Sequence, residues 1–196
     1  MKKFLFALIA VLFVTAQVSA AQAPVKIARL PIIFRSAKPD NETCIGLEVK
    51  FARAVHIPLN GTLKVAEYIP PVDAAKVLGE MWRAMRVVDK KAKIQDAMRP
   101  LAEELDADLI VCPILLNYSQ QVGGAFTASE TYLDSQVRAQ LIVYDRRSDS
   151  LVDKRLSRMY HDSMSRFGTA SFLANECFDR LIDETKLRHT IIAVGK

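Results

Sequence analysis

The residue types suited to catalysis or metal binding in this 196-residue chain are three histidines, three cysteines and two close pairs of carboxylates. His56, His161 and His189 are scattered, and none has a histidine four positions on. The helical spacing that presents two imidazoles to one zinc ion is therefore absent. His161, Asp162 and Ser163 together contain the types of a nucleophilic triad. Triads are assembled in space from distant positions, so this run reads first as the polar end of a strand. The signatures G-x-S-x-G, S-x-x-K with its companions, and cysteine beside histidine do not occur. General acid–base work needs one of two carboxyls raised in pKa by burial. Glu103 and Glu104 belong on a solvated helix face, and Asp106 and Asp108 have a structural task where that helix ends. The expectation is a protein that is not an enzyme, with no catalytic residue, cofactor or metal ligand. A hydrolase assembled around His161 and Ser163 stands as the alternative.

Surface contact has better candidates. Arg83, Arg86, Lys90, Lys91, Lys93 and Arg99 form a basic cluster. Clustered cations raise the local potential and suit anionic envelope polymers or lipid headgroups. Asp89 and Asp96 interrupt the run, as they would on an ordinary solvated face. Phe126, beyond Gly123-Gly124, is an aromatic on a loop and a candidate anchor for a partner's pocket. Partner binding is thus assigned to Arg83, Arg86, Lys90, Lys91, Lys93 and Phe126, the partner being an envelope protein or an anionic envelope component.

These residues need a scaffold, and its centre is Leu101 to Tyr118, LAEELDADLIVCPILLNY. A short amphipathic helix end passes through Asp106 and Asp108 into an unbroken apolar run, the pattern of a strand buried on both faces. Upstream, Val25 to Phe34 reads as a strand whose Pro31 must face an edge or a bulge. Glu42 to His56 reads as a helix burying Leu47, Phe51, Ala54 and Val55; a period-2 strand leading to an Asn60-Gly61 hairpin is the other reading. Leu63 to Ile69 is a second strand. Asp73 is expected to cap a helix with Ala74, Val77, Leu78, Met81, Met85 and Val88 inward. Asp89 is expected to cap a further helix, with Pro100 as a kink or a fresh first turn.

Downstream, Val122 to Ser129 reads as a loop between two strands. The second of these runs from about Tyr132 to Tyr144, and Leu151 to Tyr160 is a charged edge strand. A last helix spans about Thr169 to Leu187 with Phe172, Leu173, Cys177 or Phe178, and Leu181 inward. Thr190 to Val194 is expected to form a final short strand.

The N-terminus reads as a cleaved signal peptide, residues 1–20. It has a basic start at Lys2-Lys3, an 11-residue apolar run from Phe4 to Val14, and small residues at Val18-Ser19-Ala20. That run is short of the roughly 20 residues that span a bilayer. Removing the two signal lysines from 27 basic residues leaves 25 against 22 acidic ones, a net of +3. So small a surplus, with export, disfavours nucleic acid as a partner. Cys44, Cys112 and Cys177 are odd in number with no C-x-x-C spacing. Cys112 reads as a buried small hydrophobe, and Cys44–Cys177 is the pair to test for a disulfide.

The sequence is therefore read as α/β, with residues 21–196 as one domain: a mixed sheet of about five strands with helices on both faces. In that order the chain resembles the N-terminal domain of the Tol-Pal protein TolB. The same anticodon-binding-like fold occurs in the curli secretion lipoprotein and the lipoprotein activator of penicillin-binding proteins. The likeness rests on Ile27-Ala28-Arg29-Leu30-Pro31, on Leu105-Asp106-Ala107-Asp108 entering its strand, on Gln140 to Asp145, and on Gly168-Thr169-Ala170 opening the last helix. Departures from those relatives are expected: no β-propeller after the domain, no lipid-bearing cysteine and only a short mature N-terminus. The resemblance implies a periplasmic binding or assembly module without catalysis. An extracellular location and a subunit of an oligomeric envelope assembly are the alternatives.

Overall fold

The computed structural model describes residues 23–58, 60–63, 65–124 and 131–194. The expected signal peptide and Phe126 lie outside them. In chain order the elements are β1 (Val25–Arg29), β2 (Ile33–Phe34), α1 (Asn41–Val55), the single turn α2 (Asn60–Leu63), β3 (Ala66–Ile69) and α3 (Pro71–Val88). A 3-10 turn (Ile94–Ala97) leads into α4 (Met98–Glu104), then β4 (Leu109–Gly124), β5 (Thr131–Asp145) and β6 (Ser150–Ser163). A second 3-10 turn (Arg166–Gly168) precedes α5 (Ala170–Glu184) and α6 (Leu187–Val194).

The α/β class and the mixed sheet are as expected. The strand order is β3–β1–β4–β5–β6, with β2 also on β4. β3, β1, β2 and β4 are parallel, and β4, β5 and β6 run antiparallel. Alternation along the strands divides the core. Ile27, Leu109, Val111, Leu115, Val137, Ala139, Leu141 and Val143 face α1, α5 and α6. Ala28, Leu30, Ile110, Cys112, Ile114, Ile142 and Tyr144 face α3, the first 3-10 turn and α4. A strand with residues in both cores has no polar face, which is why β4 reads as continuous hydrophobe.

The junction before β4 is a Schellman turn. Ala107 N–H donates to Ala102 O at 2.9 Å and Asp106 N–H to Glu103 O at 3.2 Å, with Asp106 left-handed at φ 48°. Asp106 Oδ2 accepts from Lys26 Nζ at 2.8 Å and Oδ1 from Arg146 at 2.9 Å. Asp108 accepts the Lys26 amide at 2.9 Å and Arg147 at 3.1 Å. These aspartates therefore tie the start of β4 to β1 and to the β5–β6 turn. The Lys26 hydrogen bond, then that of Arg146, holds the Asp106 carboxyl down at about 2.

The expected opening strand is divided at Pro31. Arg29 pairs with Val111 and Ile33 with Ile114, so β1–β2 carries one residue more than β4 across this gap. Val111 O and Leu115 O accept from Leu30 and Arg35 amides, which places the backbone of Pro113 toward the same gap. Neither Pro31 nor Pro113 has an N–H to offer where the ladder is interrupted. The freed Ile32 amide donates to Glu48 Oε1 of α1 at 2.8 Å, and Glu48 also pairs with Arg29.

Other boundaries differ for local reasons. α1 forms as expected; the Asp40 carboxylate accepts from the Thr43 amide at 2.8 Å, and Leu47, Phe51, Ala54 and Val55 are buried. β3 starts at Ala66, not Leu63, because Asn60 bridges to both the N–H and the C=O of Ala66 and closes a helical turn. α3 begins with Pro71 and has Asp73 in its first turn instead of at the cap, and Val88 is 90% exposed. Asp89 closes α3 through its amide to Met85 O, so helix resumes only at Ile94 and Pro100 sits in a fresh first turn. Val122, Gly123 and Gly124 belong to β4 and pair with β5, not to a loop. The expected final strand is helix α6: Leu187, Ile191 and Val194 recur at helical spacing and are buried, after a break at Lys186 with φ 51°. Phe172 points outward and is exposed, whereas Leu173, Cys177, Phe178 and Leu181 are buried. The cysteines are free thiols, so Cys44–Cys177 is not a disulfide here.

Candidate anion-binding cleft

A concave surface rich in cations lies between α3, the first 3-10 turn and the sheet. Arg35, Trp82, Arg86, Lys93, Ile94, Gln95, Leu116, Gln140 and Arg155 border a cavity of about 480 Å³. Each enters by a different local cause. Arg35 follows β2 and is held by its amide to Leu115 O at 3.0 Å. Trp82 and Arg86 are one helical turn apart on α3, with the guanidinium 5.9 Å from the indole centroid. Lys93 precedes the 3-10 turn. Leu116 is the extra residue of a bulge in β4, where the β5 register shifts between Leu115 and Asn117. Gln140 and Arg155 are register partners on β5 and β6.

Cations predominate at the rim of this cleft. Among the described residues, no ion pair forms at Arg35, Arg86 or Lys93. The acids that interrupt the sequence cluster are taken up locally. Asp89 accepts the Lys91 amide and Asp96 accepts the Lys93 amide, both at 2.8 Å, which stiffens the connection after α3. Asp153 accepts from Gln95 Nε2 at 2.7 Å and Gln140 Nε2 at 2.6 Å, and lies 3.7 Å from Arg155. Gln140 is only 2% exposed, so this clamp fixes the cleft floor. Guanidinium forks, an ammonium and a partly desolvated wall suit a carboxylate, phosphate or sulfate group.

Of the residues singled out from sequence, Arg86 and Lys93 line this cleft. Arg83 donates to Gly79 O of its own helix at 3.1 Å, and Arg99 lies 3.5 Å from both Glu103 and Asp149. Lys90 and Lys91 are exposed after α3 without lining it. Arg35 and Arg155 were not anticipated. They lie far from the cluster in sequence and join it only through sheet register.

The triad-like run is spread along the edge strand. His161 Nδ1 is 3.5 Å from Asp134 Oδ2, and its ring is tilted 5.0 Å from Tyr132. Asp162 accepts the Ser163 amide, and no hydrogen bond joins His161 to the Ser163 hydroxyl. Cys112 and Cys177 lie in the core, where burial pushes their thiols up to about 12 and about 11. Among the described residues no group of three or more His, Cys, Asp and Glu side chains is placed to hold a metal ion. No described helix is long and apolar enough to cross a membrane.

No family model matches the chain, and no curated protein matches it. Among solved structures it is similar to the hypothetical protein CT253 from Chlamydia trachomatis, at 16% identity, 87% of this chain, 99% of that one and TM-score 0.41. It is similar to lipoprotein GNA1162 from Neisseria meningitidis at 18% identity, covering 82% of this chain and 99% of that chain with TM-score 0.38. The PelC dodecamer from Paraburkholderia phytofirmans matches at 15% identity, 82% of this chain and 86% of that chain, with TM-score 0.41. At such scores function rests on the chain's own geometry. That geometry is a mixed α/β sheet carrying a cationic cleft on its α3 face.

Proposed function

We propose that this protein is an exported, non-catalytic envelope module that binds an anionic envelope component in the cleft between α3 and the sheet. The observation that carries the reading is the convergence of Arg35, Arg86 and Lys93, without an ion pair among the described residues, on one concave surface beside Trp82. Export and a periplasmic location are supported by the signal-like residues 1–20. The resemblance to the TolB-type module read from the sequence is a further support for a binding role.

Trp82 is the only tryptophan and borders the cleft, so its emission reports occupancy directly. Titration with inorganic phosphate should change that emission saturably. Charge-assisted hydrogen bonds contribute about 1.5–3 kcal/mol each, so Arg86→Gln with Lys93→Gln should weaken binding by at least ~10-fold. Equal affinity in the wild type and the double variant would overturn the assignment.

A second reading is favoured by one observation: among the described residues no strand pairs with the outer edge of β6, which is 14 residues long and exposes Leu151 and Met159. That edge suits addition of a partner's strand. Crosslinking from Met159 to a specific envelope protein supports it; recovery of abundant proteins alone counts against it.

A further inference from the structure

The cationic cleft does not end at its charged rim. A second cavity of about 210 Å³ adjoins it and shares Arg35, Trp82 and Ile94. The remaining wall is apolar, made by Leu30, Pro31, Ile33, Ala75, Leu78 and Gly79. We propose that the site takes an anionic amphiphile with one apolar chain, its head held by Arg35, Arg86 and Lys93 and its chain end lying in the second cavity. This rests on the anion-binding reading of the cleft and names the ligand class that fits it.

Three features carry the inference. Charge and apolarity are segregated along one continuous groove, with Trp82 forming a wall of both parts. A purely ionic ligand leaves the apolar part unused, and a purely apolar one leaves three cations facing it. Pro31 lines the apolar part because the β1–β2 bulge brings the chain there, so the groove is built into the sheet. Gly79 lies in the interior of α3, where Ala would favour the helix. A Cβ built at this position meets nothing within 4 Å. The missing side chain leaves the groove open beside Trp82.

The test compares three probes by Trp82 emission, each below its micelle threshold: octyl phosphate, inorganic phosphate and octyl glucoside. Each buried methylene contributes roughly fourfold in affinity, so octyl phosphate should bind at least ~10-fold tighter than inorganic phosphate. Gly79→Leu fills the apolar part and should bring octyl phosphate down to the affinity that the same variant shows for inorganic phosphate. Ala75→Leu, on the same wall, should act alike, and near-UV circular dichroism checks that both variants keep native packing. Equal binding of octyl phosphate and inorganic phosphate overturns the amphiphile proposal but leaves the anion site standing. Octyl glucoside binding as well as octyl phosphate, or no binding by any probe, overturns both.

Discussion

Replacing Glu48 with Ala removes one side chain from α1, yet its effect should reach the opposite face of the sheet. Glu48 Oε1 accepts the Ile32 amide at 2.8 Å, and its other oxygen pairs with Arg29. Ile32 is buried, so the unpaired amide costs about 1–3 kcal/mol. The Arg29 side chain is 13% exposed against 34% for Glu48, so solvent screens part of the ion pair and its loss adds only about 1 kcal/mol. The total is about 2–4 kcal/mol, which for a domain of this size lowers the melting temperature by roughly 5–15 °C. Glu48→Gln keeps an acceptor for Ile32 and should cost about 1–2 kcal/mol. A double-mutant cycle with Arg29→Met should return a coupling near 1 kcal/mol. Urea unfolding measures wild type, the three single variants and the double variant. Because the same bulge sets the course of β2 into Arg35, Glu48→Ala should also weaken phosphate binding in the distant cleft. A Glu48→Ala unfolding free energy within about 0.5 kcal/mol of wild type, inside the usual range for an unremarkable surface substitution, would refute the reasoning.

Three further expectations follow from the fold. The Asp106 carboxyl, lowered to about 2 by Lys26 and Arg146, stabilises the fold above its unfolded value near 4 and loses that contribution as pH falls toward 2. Asp106→Asn tolerates the left-handed backbone and should flatten the urea midpoint between pH 5 and pH 2; an unchanged pH slope contradicts this. Phe178, packed edge-on to Phe51 with centroids 5.0 Å apart and fully buried, should cost about 3–5 kcal/mol when replaced by Ala. A loss below 1 kcal/mol in chemical denaturation would show that the two rings do not share a close-packed core. Thiol labelling of the native protein should modify Cys44 first, because Cys112 and Cys177 are buried with raised thiols, and should count three thiols after unfolding. A count of one would mean that a disulfide exists.

The parts of the structure legible in sequence were those where local pattern and tertiary environment agree. β4 declared itself because Leu109 to Leu115 is buried from both faces. α1 was half legible: its apolar stripe of Leu47, Phe51, Ala54 and Val55 fitted a helix, a period-2 strand fitted too, and the structure decides for the helix with Asp40 as its cap. Beyond Tyr118 the same strand continues through Ser119, Gln120 and Gln121 into glycines, with no core to demand hydrophobes, so its reach to Gly124 left no apolar signal. The run Thr190 to Val194 has β-branched residues typical of a strand, but the spacing of Leu187, Ile191 and Val194 matches a helix face, and packing decided between them. The cleft was half legible. Arg86 and Lys93 lie in one charged stretch, whereas Arg35 and Arg155 reach it only through the pairings of Ile33 with Ile114 and Gln140 with Arg155. No spacing rule in one dimension carries that information.

The most direct test of where the ligand goes is a proton–nitrogen NMR titration of the protein with octyl phosphate. The account predicts saturable shifts of the Trp82 indole N–H and of the Ile94, Gln95, Leu116 and Gln140 amides, with the His161 end of β6 unmoved. Shifts confined to β6 or to the exposed Phe167–Phe172 pair, with the Trp82 signal unchanged, would contradict it.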